Sequence, residues 1–153
     1  MNPPYDRALI TGGGTGVGFA LAAALLRRGC TRVALCGRDP HRLARARDAL
    51  GADVLTVPCD VTDPDGRSHL LAVVEKAWGG LDLLVNNAAV QVETDHLTGL
   101  TPEALRSVSG EIETNLTAPV LLTLGALPAL RGCCSGWEGV RWSEAEHLGE
   151  TAE

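Results

Sequence analysis

The chain has 153 residues and a formal net charge of −6, which gives enough length for one domain with a sizeable core and argues against a nucleic-acid-binding surface. Hydrophobic residues make up 45% and charged residues 21%, and no apolar run reaches the roughly 18 residues that a membrane-spanning helix needs. Residues 1–6 lack the basic and apolar pattern of a signal peptide, so we expect a cytoplasmic protein with neither nucleic-acid nor membrane partners.

A glycine-rich turn separates the first predicted strand, at residues 7–11, from the first predicted helix, at 16–28 with Gly29 as its stop. A helix that follows such a turn presents free N–H groups and a positive partial charge, which suit a phosphate. Gly12 suits a tight turn, Gly16 lets a pyrophosphate approach the backbone, and Gly18 lets the helix pack close to the strand. A loop without a ligand is the alternative interpretation. The predicted cofactor contacts in this turn are Gly12, Gly14, Thr15, Gly16, Val17 and Gly18.

Strands and helices continue to alternate along the chain. Asp-Pro pairs at 39–40 and 63–64 predict helix starts, because aspartate caps the free N–H groups and proline suits the first turn. Pro119 is expected to kink a long apolar helix. The predicted elements are strands at 32–37, 53–57 and 81–86, helices at 40–50 and 64–78, a shorter helix from 101, and the long helix at 111–130.

Apolar strands separated by helices indicate a parallel sheet that is covered on both faces. Right-handed crossovers and a phosphate-binding turn after the first strand favour a doubly wound sheet. We therefore predict an α/β fold of the Rossmann type with the strand order 3-2-1-4.

The composition and patterning of the sequence change after residue 131. Residues 132–153 hold one arginine against five glutamates, two of the three tryptophans, and no strand pattern. They are interpreted either as a disordered acidic extension or as the product of a shifted reading frame. The predicted division is thus an incomplete dinucleotide-binding domain at 1–131 and an irregular acidic tail at 132–153.

Five cysteines, an odd number, do not predict a disulfide framework in such a chain. Cys36 and Cys59 lie in strand-like runs and are interpreted as small buried hydrophobic residues. Cys133 and Cys134 have neither a second pair nor a nearby histidine at ligand spacing, so no metal site is predicted.

Four motifs over about residues 5–131 resemble the short-chain dehydrogenase/reductase family. They are the glycine turn at 11–18, Cys59-Asp60-Val61-Thr62, Asn86-Asn87-Ala88-Ala89, and the run Asn-Leu-Thr-Ala-Pro-Val at 115–120. Their order and spacing match the family. The resemblance implies an oxidoreductase that transfers hydride between a nicotinamide dinucleotide and an alcohol or carbonyl.

The resemblance also implies roles for particular residues. Asp60 and Val61 correspond to the adenine-contacting segment, and Asn115 corresponds to the catalytic asparagine. Asn87 and Ala88 belong to the strand-four motif and are predicted cofactor contacts, and the side chains of Asn86 and Asn87 are expected to tie neighbouring strands together. Asp60 ends the third strand at the carboxyl edge, where ligands of open α/β sheets bind; a turn cap is its alternative role. Asn115 is unfavourable as a plain helix residue, which favours a functional or capping task.

The end of the second strand predicts which dinucleotide binds. An acidic residue there usually binds the ribose hydroxyl of NAD, whereas an arginine accommodates the 2′-phosphate of NADP. Here the strand ends Cys36-Gly37-Arg38, and Arg38 can form a forked contact with a phosphate. We therefore expect NADP rather than NAD, with a solvated Arg38 as the competing account.

Most of the catalytic residues that the resemblance implies have no counterpart. The family uses a tyrosine with a lysine four residues later, a serine and an asparagine. The chain holds one tyrosine, Tyr5, and one lysine, Lys76, while Ser135 and Ser143 follow no predicted strand. Asn115 is the single counterpart, so the fold is predicted to be truncated after four strands.

Three hypotheses stay open at this point. The chain is a truncated product of an NADP-dependent oxidoreductase gene, a catalytically silent dinucleotide-binding module, or a non-functional fragment with an open sheet edge. The 111–130 helix, which resembles a subunit interface of the family, predicts a homo-oligomer that would cover its apolar surface.

Overall fold

The computed structural model describes residues 5–91 and 101–131. The expected irregular tail at 132–153 lies outside these residues. The elements in chain order are β1 (Arg7–Thr11), α1 (Gly16–Arg27), β2 (Arg32–Gly37), α2 (Pro40–Leu50), β3 (Leu55–Pro58), α3 (Pro64–Trp78), β4 (Leu83–Val85), α4 (Pro102–Ile112), a π-helical turn (Glu113–Thr117) and α5 (Ala118–Arg131).

The four strands form one parallel sheet in the order β3-β2-β1-β4, which confirms the predicted strand order. One face packs against α3 and α5 through residues such as Leu9, Leu70 and Leu122. The other face packs against α1 and α2 through residues such as Ile10 and Leu43. The central strands β1 and β2 are therefore buried on both faces, which explains why they read as continuous apolar runs.

Side-chain caps begin three of the helices, and two of these caps are at the predicted Asp-Pro pairs. Asp39 accepts hydrogen bonds from the backbone N–H groups of the first turn of α2, and Asp63 does the same for α3. Thr101 caps α4 through the N–H of Ala104. A proline occupies the first helical position in each case, where its missing N–H costs no hydrogen bond.

Two strands are shorter than their predicted bounds, because nearby groups take their backbone hydrogen bonds. β3 begins at Leu55 rather than residue 53, since the N–H of Val54 closes a turn onto the carbonyl of Gly51. β4 ends at Val85, since the N–H groups of Asn87 and Ala88 donate to the hydroxyl of Thr11 instead of to a strand backbone.

The prediction of two separate helices at 101 and 111–130 was wrong. The backbone is helical without a break from Pro102 to Arg131, and the irregularity takes the form of the π turn. Within it the N–H of Ala118 donates to the carbonyl of Glu113, five residues earlier. Pro119 has no N–H for the carbonyl of Asn115, and a wider turn moves that carbonyl away from the proline ring.

Within residues 5–91 and 101–131, none of the helices combines the length and apolar character that crossing a bilayer would require.

Candidate functional site

A crevice of about 800 Å³ opens at the carboxyl ends of the strands. This is the edge where open α/β sheets bind their ligands, and the volume is that of a small-molecule site. The glycine turn, the ends of β2 and β3, the segment after β4, and the region where α4 meets the π turn all contribute to its wall. The lining residues used below are Gly12, Gly14, Thr15, Val17, Arg38, Arg42, Cys59, Asp60, Val61, Asn87, Ala88, Glu113 and Thr114.

The glycine turn leaves no room for a side chain at Gly12 or at Gly18. Gly12 has φ +65°, and a Cβ atom there would lie 2.9 Å from the Cα of Ala88. A Cβ atom on Gly18 would lie 2.6 Å from both Asn87 Nδ2 and the carbonyl oxygen of Gly12. Contacts this short require neighbouring atoms to move. Gly18 therefore holds α1 against the exit of β4 and supports the turn from behind, without lining the crevice.

Helix α1 begins without the side-chain cap that the three capped helices have. Thr15 occupies the N-cap position in an extended conformation, and its side chain makes no capping hydrogen bond. Gly16, with φ +58°, has open space where a Cβ atom would stand, although it does not line the crevice. The first N–H groups of this helix thus keep the positive potential that suits an anion.

Asn87 and Thr11 together fix the floor of the crevice. Asn87 Nδ2 donates to the carbonyl oxygens of Thr11 at 2.9 Å and Gly12 at 3.2 Å. The Thr11 hydroxyl donates to the carbonyl of Val85 and accepts from the N–H groups of Asn87 and Ala88. These bonds tie the ends of β1 and β4 together, so the asparagine has the scaffold geometry that its sequence position predicts.

Asp60 caps its own turn, which was the alternative role that the sequence allowed. Its Oδ1 accepts from the N–H of Thr62 at 2.9 Å and from the Thr62 hydroxyl at 2.8 Å. The N–H bond is the main reason why the pKa of this carboxyl is lowered, and the positive charge of Arg38 adds to the effect. Both of these hydrogen bonds use Oδ1. The contact between Asp60 and the adenine stays a prediction, and Oδ2 is the oxygen that would make it.

Two arginines stand on the crevice wall beyond β2. Arg38 is exposed and belongs to the loop, as its sequence position predicts. Arg42 lies in the first turn of α2, and its Nε is 3.2 Å from Oδ2 of Asp39, the helix cap. Hydrogen bonds from the Arg42 and His41 backbones lower the pKa of the Asp39 carboxyl. Sequence reasoning missed Arg42, although its spacing of three from the cap was a usable signal.

Asn115 lies in the π turn and does not line the crevice. Its Oδ1 accepts from the N–H of Val90 at 2.9 Å, and its Nδ2 donates to the carbonyl of Val90 at 2.7 Å. The side chain therefore holds the segment after β4 by both backbone groups of one residue. Its neighbours Glu113 and Thr114, which sequence reasoning did not select, do reach the crevice wall.

A sequence model of the family described as short chain dehydrogenase matches residues 6–137. This chain belongs to the short-chain dehydrogenase family. The resemblance indicated by the four motifs is thereby confirmed, and so is the predicted α/β fold of the Rossmann type.

Two uncharacterised bacterial oxidoreductases are similar to this part of the sequence. The uncharacterised oxidoreductase DltE of Bacillus subtilis (strain 168) is 42% identical over 130 residues, which cover 85% of this chain and 50% of that protein. An uncharacterised oxidoreductase of Staphylococcus aureus (strain USA300) is 31% identical over 130 residues, covering 84% and 54%. The chain spans about half the length of the curated relatives it matches.

Solved structures of two oxidoreductases superpose on the same region. L-sorbose reductase from Gluconobacter frateurii, complexed with NADPH and L-sorbose, gives a TM-score of 0.72 at 29% identity, over 86% of this chain and 49% of that one. A metagenomic short-chain oxidoreductase in complex with NADP gives 0.73 at 30% identity, over 83% and 57%.

Proposed function

We propose that this chain forms the NADP-binding part of an oxidoreductase that transfers hydride between NADP(H) and an alcohol or carbonyl. The observation that carries the proposal is the glycine turn: side chains are excluded at Gly12 and Gly18, and the beginning of α1 is left uncapped. Solved relatives that contain NADPH or NADP support it. When bound, the nicotinamide ring supplies the hydride.

The residues of the crevice fit a dinucleotide in three places. The pyrophosphate would meet the N–H groups of the turn from Gly14 to Val17, over the open position of Gly16. Asp60 and Val61 would border the adenine, and Asn87 with Ala88 would hold the backbone beside the ribose and nicotinamide portion. Asn115 would act on the reaction by fixing Val90, which itself lines the crevice.

Arg38 is proposed to select NADP over NAD. Its side chain is exposed, and it makes no ion pair among residues 5–91 and 101–131. Its guanidinium can therefore make a bidentate contact with a 2′-phosphate without first breaking an ion pair with a carboxylate. Gly37 leaves no acidic side chain at the place that would favour the free ribose hydroxyl.

Calorimetry with NADP and NAD tests the proposal. The wild-type chain is expected to bind NADP more tightly, and Arg38→Ala to weaken NADP by roughly tenfold or more while NAD changes little, because one charge-assisted contact is lost. Arg45→Ala removes an exposed arginine of α2 outside the crevice and serves as the control. Absence of heat with either dinucleotide at millimolar concentration would remove the cofactor from the proposal.

A catalytically silent binding module is the second candidate, and the sequence favours it for the chain as it stands. Tyr5 and Lys76 are its single tyrosine and single lysine, so it contains no Tyr-x-x-x-Lys motif. We propose that it is a truncated member that lacks turnover on its own. NADPH oxidation above background with any of a panel of ketones would contradict this.

A non-functional fragment is the third candidate. β4 pairs only with β1 among the described strands, which leaves its outer edge open in that part of the chain. Broad NMR lines without a defined oligomer by light scattering would favour this outcome. As the alternative to disordered association, we propose a homo-oligomer that forms through the 111–130 helix. We also propose a cytoplasmic location.

A further inference from the structure

Arg67 is the one charged side chain that is buried among residues 5–91 and 101–131, with 9% of it exposed. It lies in the first turn of α3, does not line the crevice, and makes no ion pair within those residues. A guanidinium that loses its hydration without a carboxylate partner is costly unless it makes strong hydrogen bonds. The contact that Arg67 does make therefore indicates what the side chain stabilises.

The guanidinium of Arg67 holds one carbonyl group of the loop between β3 and α3. Its Nη1 donates to the carbonyl oxygen of Val61 at 2.7 Å. The loop comprises residues 59–63, and its first four residues line the crevice. Hydrogen bonds from a charged donor are roughly twice as strong as neutral ones, and this bond is buried. Arg67 thus anchors this part of the crevice wall from behind.

The N–H of Thr62 belongs to the same peptide group as the carbonyl of Val61. None of the described peptide bonds is cis, so this C=O and this N–H point in opposite directions. The N–H donates to Oδ1 of Asp60 at 2.9 Å, and the Thr62 hydroxyl donates to the same oxygen at 2.8 Å. The Arg67 guanidinium and the Asp60 carboxylate therefore hold the two ends of one peptide group and fix its plane.

The charges at the two ends of this peptide group reinforce each other. A peptide dipole is negative at the oxygen and positive at the hydrogen, so each charge faces the end of opposite sign. Each hydrogen bond polarises the peptide group and thereby strengthens the other bond. The bond from the Thr62 N–H is also the main cause that lowers the pKa of the Asp60 carboxyl. Arg67 and Asp60 are thus coupled through the peptide group, without an ion pair between them.

We propose that Arg67 is a positioning residue that keeps Oδ1 of Asp60 turned toward the loop and leaves Oδ2 for the amino group of a bound adenine. The inference rests on the proposed function, in which Asp60 and Val61 border the adenine. An ionised carboxylate accepts hydrogen bonds and donates none. It therefore favours a base that presents an N–H at this edge, as adenine does, over one that presents a carbonyl, as hypoxanthine does. Arg67 supports this preference without touching the cofactor.

Amide hydrogen exchange, followed by NMR on the whole chain without cofactor, tests the hold on the loop. We expect the Thr62 N–H to be protected in the wild-type chain and to exchange at least about tenfold faster in Arg67→Met, which corresponds to the loss of one net hydrogen bond. Loss of a positive charge by itself would slow base-catalysed exchange, so faster exchange reports a loosened peptide group. The Asp65 N–H, which donates to the Asp63 cap of the same helix, should keep its rate.

Two further variants control for charge and for the helix. Arg67→Lys keeps one charged donor and should restore most of the protection of Thr62. Lys76→Met removes an exposed positive charge of α3 and should leave the Thr62 rate at the wild-type value. Unchanged protection of Thr62 in Arg67→Met, or equal acceleration of Thr62 and Asp65, would overturn the hold. A wild-type Thr62 amide that exchanges at the rate of an unstructured chain would do so without any variant.

Calorimetry with NADP and its hypoxanthine analogue, in which a carbonyl replaces the amino group, tests the reading of the base. The wild-type chain should bind NADP at least about tenfold more tightly than the analogue. Arg67→Met should lose most of this ratio, whereas Lys76→Met should keep it. Equal weakening of both dinucleotides in Arg67→Met would indicate a general structural role and refute the positioning. Failure of both to bind the wild-type chain would remove the cofactor from the proposed function, while the exchange result would still support the hold of Arg67 on the loop.

Discussion

The absence of a side chain at Gly18 allows the beginning of α1 to pack closely against Asn87 and Gly12. We predict that Gly18→Ala lowers the free energy of unfolding by roughly 1–3 kcal/mol, because its Cβ atom would overlap Asn87 Nδ2 and the Gly12 carbonyl. Gly110→Ala is the control, since a Cβ atom there meets nothing and alanine favours the helix by up to about 1 kcal/mol. Urea denaturation should move the two midpoints in opposite directions. A Gly18→Ala midpoint at or above wild type would contradict the close packing.

Asp60 gives a prediction about pH. Its folded-state pKa is depressed, so its charge contributes stability above the unfolded value of about 3.9 and loses that contribution as pH falls through the lower folded value. Asp60→Asn keeps an oxygen acceptor for Thr62 but removes the charge. The difference in unfolding free energy between wild type and Asp60→Asn should therefore be present at pH 6 and vanish toward pH 2. Asp48→Asn, at an exposed carboxylate of α2, provides the comparison. A difference independent of pH would show that the charge has no role.

At the scale of elements, local signals were sufficient for most of the fold. Apolar runs, Asp-Pro caps and stop glycines define β1, β2, α2 and α3, because each signal acts within a few residues of the element it shapes. The end of β4 was not predictable in this way, since it depends on the hydroxyl of Thr11, which lies 76 residues from Asn87 in sequence. The π turn was also missed, because the position of Pro119 predicts a disturbance but not its form.

The π turn itself is testable through the two prolines of α5. Pro119→Ala restores an N–H for the carbonyl of Asn115, so we expect a regular helix, a gain in stability and the loss of the hold of Asn115 on Val90. Hydrogen exchange at the Val90 amide should then become at least about tenfold faster, which corresponds to the loss of one net hydrogen bond. Pro128→Ala also removes a proline from inside α5 and should leave the Val90 amide unchanged. Equal protection of Val90 in both variants would mean that Pro119 does not cause the turn.

At the scale of the whole molecule, the sheet topology predicted the position of the crevice, but the sequence predicted only some of the residues that line it. Of the eleven predicted cofactor contacts, nine line the crevice, while Gly16 and Gly18 do not. Arg42, Glu113 and Thr114 were missed because they are helical residues. Which side of a helix meets a crevice depends on how that helix packs against the sheet, and a short motif does not contain that information. The strand-end residues were predictable because parallel strands end at a common edge.

The helical run from Pro102 to Arg131 presents two faces with opposite character. Ala118, Leu122 and Ala126 are buried against the sheet, whereas Ile112, Leu116, Val120 and Leu124 recur at intervals of four residues and are 50 to 62% exposed. Such a stripe favours association through the apolar surface. The four exposed residues are therefore the surface through which the proposed homo-oligomer would form.

Leu116→Glu places a charge in the middle of that stripe, at its most exposed position, 62%. We expect it to shift the chain from an oligomer to a monomer in light scattering at micromolar concentration, because a buried unpaired carboxylate costs several kcal/mol. Its crevice should be unaffected, so NADP binding per chain should stay within about twofold of wild type, a difference of less than 0.5 kcal/mol. Ala49→Glu, an equivalent charge on the exposed side of α2, should leave the oligomer intact. A wild-type chain that is monomeric at these concentrations, or a Leu116→Glu chain that still associates, would exclude this face as the contact between subunits.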